Sequence, residues 1–157
     1  MLTIEYYPVE NLTAYEKNAR IHDESDIEAI KYSIENFGFN DPIGIWGERN
    51  IIVEGHGRLE AAKQLGILTV PCIRLDHLNE EERKTYALAH NRTAELSKWD
   101  WGSVKAEIQS ISTFDMKALG FADVENMAID LDDNDEQQCQ KSEELHKCPK
   151  CGFLFAN

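Results

Sequence analysis

The stretch Ile51-Ile52-Val53-Glu54-Gly55-His56-Gly57-Arg58-Leu59-Glu60-Ala61-Ala62 constrains this chain more than any other. A β-branched apolar run stops at two glycines, and good helix formers follow at once, the order of a strand that turns directly into a helix. Glycine at such a corner permits positive φ and lets another group come close to the backbone. The helix beyond opens with unpaired N–H groups at the positive end of its dipole, an arrangement that attracts anions. Arg58 in the first turn can offer forked donors to phosphate oxygens, and His56 a donor or a proton carrier. Glu54 at the strand end can hold a metal or a ribose hydroxyl. The same residues also make an ordinary tight turn with a solvated arginine. Neither the Walker lysine nor the dinucleotide glycine spacing is present.

The flanking sequence predicts the rest of the body. Residues 2–12 read as an entering strand and turn, and residues 18–22 as a loop. Asp23 is an N-cap with Asp26 at the capping-box offset, and Ile27, Ile30, Ile34 and Phe37 repeat at helical spacing up to Gly38. Ile43 to Trp46 and Ile51 to Val53, joined by Gly47-Glu48-Arg49-Asn50, read as a hairpin. A short helix is expected over Leu59–Leu65, closed by Gly66, then a strand over Thr69–Leu75. Asn79 caps a longer helix that runs to about Leu96, and Glu80, Glu81 and Glu82 suit its dipole. Further helices are expected over 103–111 and 114–119, with Asp100 as a cap and Trp99 and Trp101 as core anchors. His77 and His90 read as surface or packing residues, while His22 sits near enough to Arg20 to share a pocket with it.

Charge sets the limits on function. The 157 residues carry 29 acidic and 16 basic side chains, a net charge of −13. A chain so acidic cannot coat duplex DNA by neutralising phosphates, so any nucleic-acid role must be local, metal-assisted or supplied by a partner. Residues 123–144 hold nine acidic side chains against Lys141 alone and read as a flexible linker. No apolar run is long enough to span a bilayer and no secretory leader is evident, so no membrane partner is expected and the cytoplasm is the expected compartment. Cys72, in an apolar run, reads as a buried thiol. Cys148-Pro149-Lys150-Cys151-Gly152 resembles half of a zinc ribbon, with Cys139 and His146 as candidates for the remaining zinc ligands. Alternatively two chains contribute one knuckle each and form a homodimer, or the thiols are free. The expected organisation is a body over 1–100, a helical extension over 101–122, the acidic linker over 123–145 and a knuckle over 146–157.

Asn18-Ala19-Arg20-Ile21-His22, Phe37-Gly38, Asp41-Pro42-Ile43, the glycine–arginine box and Val70-Pro71 resemble, in order and spacing, the ParB/sulfiredoxin-like domain. The likeness is to the phage and prophage branch often found beside or fused to DNA methyltransferases. Asn91-Arg92-Thr93-Ala94-Glu95 and Trp99-Asp100 continue that branch's pattern, so the resemblance covers roughly residues 5–100. It implies an α+β fold with a small mixed sheet flanked by helices. It further implies a nucleoside triphosphate, CTP or ATP, bound with Mg²⁺ at Gly55, His56, Gly57 and Arg58. Arg20 would reach a phosphate or the ribose, and Asn91 would belong to a second nucleotide-contacting motif. The family's order there is Glu-Asn-hydrophobic-Gln-Arg; here it is His90-Asn91-Arg92-Thr93, so Asn91 alone has a counterpart.

The sulfiredoxin branch carries its nucleophilic cysteine where this chain has Gly55, which argues against sulfinic-acid reduction. Partitioning ParB proteins follow this domain with a basic helix-turn-helix, where this chain has short helices and an acidic tail. The function expected from the resemblance is a nucleotide-binding switch or adaptor in DNA processing or modification, reaching DNA through a partner such as a DNA methyltransferase. One alternative is a metal-dependent nuclease, NTPase or phosphotransferase in which Glu54 and His56 are catalytic. Another is a non-catalytic protein assembled through zinc.

Overall fold

Apolar residues in four short strands build the sheet on which everything else is placed. A computed structural model describes residues 3–121 together with the two short strands near the C-terminus. Strand β1 (Ile4–Pro8) passes through a single 3-10 turn, and helix α1 (Glu24–Phe37) follows a loop. The hairpin β2 (Ile43–Trp46) and β3 (Ile51–Glu54) leads into α2 (His56–Gln64), β4 (Thr69–Arg74) and α3 (Glu80–Leu96). The sheet order is β1-β4-β2-β3, with β2 and β4 parallel and the other two pairings antiparallel. The chain therefore has the α+β class and small mixed sheet expected of it. Ile43, Ile45, Ile52, Val70 and Cys72 are fully buried and pack with Leu12, Leu59 and Ala62. Burial, with a smaller contribution from Glu5, pushes the Cys72 thiol up to about 11.

The described residues fall into two units, residues 3–99 with 113–121 and residues 100–112 with the two terminal strands. In the second unit, α4 (Trp101–Ser110) starts at Asp100, whose carboxylate accepts the Gly102 and Ser103 N–H groups. Strands β5 (His146–Lys147) and β6 (Leu154–Phe155) pair antiparallel, with His146 opposite Phe155.

Caps decide where the longer helices begin. Asp23 accepts the Asp26 N–H at 2.8 Å while Asp26 accepts the Asp23 N–H, a complete capping box for α1. Asn79 and Glu82 do the same for α3. Three expectations are corrected. The short central helix begins at His56 rather than Leu59, so the glycine box is itself the first helical turn. No helix forms over 114–119; Asp115 accepts the Lys117 and Ala118 N–H groups in a turn that Gly120 closes at φ +89. Trp99 is 63% exposed and stands edge-on to Phe121 at 6.1 Å, so it is no core anchor.

Helix α3 is fixed to the sheet by a buried cation. Arg83 is only 3% exposed, and its guanidinium lies 4.4 Å from the centre of the Tyr15 ring and 5.3 Å from that of Trp46. Its Nε and Nη1 make no hydrogen bond, so aromatic faces take much of the role water would play. Trp46 is held in turn by donating from Nε1 to the Leu78 carbonyl at 2.8 Å. Removing this side chain takes away its packed stem as well as both ring contacts. Arg83→Ala should lower stability by about 2–4 kcal/mol, read as a fall in the urea midpoint at unchanged m-value, and Arg83→Met should recover part of the loss.

Candidate functional site

Strand β3 delivers Glu54 to the edge of a cavity of about 390 Å³ and the chain turns there into α2. Gly55 makes the turn at φ +91, a conformation strained for any residue with a side chain, and a Cβ there would also lie 3.0 Å from Arg58 Nε. Helix α2 has no side-chain cap and no acidic residue in its first turn, whereas α1, α3 and α4 are all capped by Asp or Asn. The first N–H groups of α2 therefore stand at the wall of the cavity with the positive end of the dipole behind them.

Three chain segments close around that turn. The loop before α1 supplies Arg20 and His22; the end of α1 and its following loop supply Phe37, Phe39 and Asp41; α3 supplies His90 and Asn91. Thus Arg20, Glu54, Gly55, His56, Gly57, Arg58 and Asn91, picked out along the sequence, line a single cavity. Arg20 donates from Nη1 to Asn91 Oδ1 at 3.3 Å, and Asn91 is oriented by donating to the Ala87 carbonyl at 3.0 Å. Arg92 instead pairs with Glu95 on its own helix.

Arg58 pairs through Nη1 with Asp41, while its buried Nε has no hydrogen-bond partner. Burial pulls the Arg58 guanidinium below its ordinary value, an energetic penalty that a bound anion would relieve. His56 accepts the Tyr15 backbone N–H at Nε2 (3.3 Å), which puts its own proton on Nδ1. Burial, and then the nearby His22, hold its pKa below the usual histidine value. It is thus a neutral donor in a fixed orientation.

Glu54 is 9% exposed; its Oε2 accepts the Tyr86 hydroxyl at 3.0 Å and lies 2.9 Å from His90 Nδ1. Burial and the neighbouring Glu54 raise the Tyr86 pKa, so the phenol remains a donor. His90 is exposed, as the sequence suggested, and it also lines this cavity. The i, i+4 spacing of Tyr86 and His90, with Asn91 adjacent, was the available signal. Asp41 gave none. Cys139, Cys148 and Cys151 lie outside the described residues, and His146 lies in β5. Among the described residues, no group of three His, Cys, Asp or Glu is gathered to hold a metal.

Comparison with known proteins adds a family. Residues 2–92 match the ParB N-terminal domain. The ParB-like nuclease domain-containing protein YnaK of Escherichia coli (strain K12) is 37% identical over 83 residues, which are 53% of this chain and 94% of that protein. The C-terminally truncated chromosome-partitioning protein ParB from Caulobacter crescentus, complexed with CTP-gamma-S, superposes with a TM-score of 0.55 at 23% identity. That match covers 63% of this chain and 57% of the Caulobacter chain, and it is a likeness of fold. Sulfiredoxin from Arabidopsis thaliana gives a TM-score of 0.45 at 23% identity, over 55% of this chain and 97% of its own.

The His56 geometry has a pH signature. The unfolded chain takes up a proton near pH 6.5, whereas folded His56 resists it. The stability this neutral histidine allows is therefore fully present above that pH and is lost as pH falls toward the lower folded value. Urea midpoints measured from pH 8 to pH 5 should decline through this window, and His56→Gln should flatten the decline.

Proposed function

This chain belongs to the ParB N-terminal domain family, and we propose that it binds a nucleoside triphosphate, with Mg²⁺, across the N-terminus of α2 and acts as a nucleotide-dependent switch or adaptor in DNA processing. The observation that carries the reading is the uncapped start of α2 beside the buried, unpartnered Nε of Arg58. Backbone N–H groups, a helix dipole and a forked cation converge there, which is the donor set a phosphate chain needs. The cavity volume falls in the usual range for a small-molecule site. The apolar wall of Ile34, Phe37 and Phe39 gives a ring system a place away from the phosphates. Arg20 and Asn91, already hydrogen-bonded together, lie where they can contact phosphate or ribose.

The Caulobacter relative is bound to a CTP analogue, which makes CTP the first nucleotide to try and ATP the second. Mg²⁺ would arrive on the phosphates, since Glu54 and Asp41 already have cationic or donor partners; its part is to neutralise phosphate charge. A net charge of −13 favours DNA contact that is local, metal-assisted or supplied by a partner, and a methyltransferase of a phage or prophage modification system would fit the last. Zinc at Cys139, His146, Cys148 and Cys151, and a homodimer built on it, rest on the sequence spacing alone.

One observation favours a second reading. Glu54 is a buried carboxylate held by the Tyr86 hydroxyl and beside His90 at the cavity edge, the form a general base takes. Hydrolysis of a nucleotide or phosphodiester would use it to accept the proton of an attacking water. Turnover that falls at least about a hundredfold in Glu54→Gln, with the fold intact, would support the enzyme; full activity in that variant would remove Glu54 from the chemistry.

Titration calorimetry of the full chain with CTP, ATP and GTP, each with Mg²⁺, tests the primary reading. One nucleotide should bind, and Arg58→Ala should weaken it about ten- to a hundredfold, the loss expected for a charge-assisted contact. Affinity unchanged by that substitution would place the nucleotide elsewhere.

A further inference from the structure

Three imidazoles, His22, His56 and His90, line the cavity, and they are not equivalent. His56 spends Nε2 on the Tyr15 N–H. His90 directs Nδ1 at the Glu54 carboxylate, which balances any charge it gains. His22 differs from both. Its Nδ1 lies 3.8 Å from Asp26 Oδ2, and Asp26 is itself held by the Asp23 N–H as the second half of the α1 capping box. Its Nε2 points the opposite way, into the space a side chain at position 57 would fill, 3.1 Å from where that Cβ would stand. The absence of a side chain at Gly57 thus brings this nitrogen against the first turn of α2.

We propose that His22 is the proton-linked phosphate contact of this cavity: protonated on Nε2, it joins Arg58 and the first turn of α2 around the anion, so that nucleotide binding takes up a proton. The proposal rests on the nucleotide reading above and specifies how that site is regulated. The reasoning is one of lone pairs. The carboxylate of Asp26 favours the imidazole proton on Nδ1, which leaves the Nε2 lone pair against Gly57 in the first turn of α2, where the phosphates are proposed to bind. A lone pair there repels an anion, whereas an N–H attracts it. Binding therefore selects the imidazolium.

The other charges near His22 set the size of the effect. Asp23 and Asp26 face it from α1, His56 and Arg58 from α2, and Arg20 from its own loop. Glu54, His90 and Asp41 lie across the same cavity. An anion bound beside the ring favours its protonated form, so affinity falls as pH rises, by at most about tenfold per pH unit for one proton.

Calorimetry of the full chain with CTP–Mg²⁺, and in parallel ATP–Mg²⁺, tests this at pH 6, 7 and 8 in pairs of buffers with different ionisation enthalpies, so that protons are counted directly. The expected result is uptake of a substantial fraction of one proton near pH 7 and a Kd about tenfold weaker at pH 8 than at pH 6. His22→Gln should show no uptake and bind at every pH as weakly as the unaltered chain at pH 8, while His90→Gln should keep the uptake. The nucleotide's own phosphate ionisation would release protons on binding, the opposite sign. Binding of the unaltered chain without uptake overturns the proposal, and this count stands even if the variants fold poorly. Uptake that survives in His22→Gln, or disappears only in His90→Gln, also overturns it. Failure of both nucleotides to bind at any pH removes the nucleotide reading and this inference together.

Discussion

The approach of α2 to its neighbours is the constraint on which the cavity depends. A Cβ at Gly57 would sit 2.9 Å from Ile30 Cδ1 and 3.1 Å from His22 Nε2, so the two helices can be this close only over glycine. A few tenths of an ångström of separation would withdraw α1 and its preceding loop, and with them Arg20 and His22. Gly55 acts at the other end of the same corner. Its positive φ aims the helix axis so that the first turn, rather than a flank, faces the cavity. Two missing side chains thus set the positions of several charged ones.

What the sequence disclosed follows from how local each signal is. The start of α1 was legible because Asp23 and Asp26 satisfy each other's backbone within one turn. The start of α3 was legible through Asn79 and Glu82 for the same reason. The start of α2 was not: glycine is a poor helix former, so Gly55 and Gly57 hid a helical turn whose purpose is to leave N–H groups uncovered. Residues 114–119 read as a helix, but Asp115 satisfies its neighbours' N–H groups in a turn and Gly120 closes it.

The site residues divide along the same line. Arg20, Glu54, Arg58 and Asn91 could be named because they stand in motifs or at element ends. His90, Tyr86 and Asp41 take their roles from residues far away in sequence, Tyr86 and His90 from Glu54 and Asp41 from Arg58, with only the i, i+4 spacing on α3 as a local hint. Arg83 is the clearest case. A charged residue in an amphipathic helix reads as solvated, and only the fold reveals that Tyr15 and Trp46 have enclosed it.

The missing cap on α2 gives a ligand a place in the fold itself. In α1 a carboxylate from the chain completes the helix end; in α2 no side chain does, and an anion would be the completing group. Such an anion would act as a removable part of the secondary structure. Its departure would expose the amide hydrogens of the first turn to exchange, and α2 would fray from that end while α1 and α3 stayed closed. Amide exchange at His56, Gly57 and Arg58 would thereby report occupancy of the cavity from within the backbone.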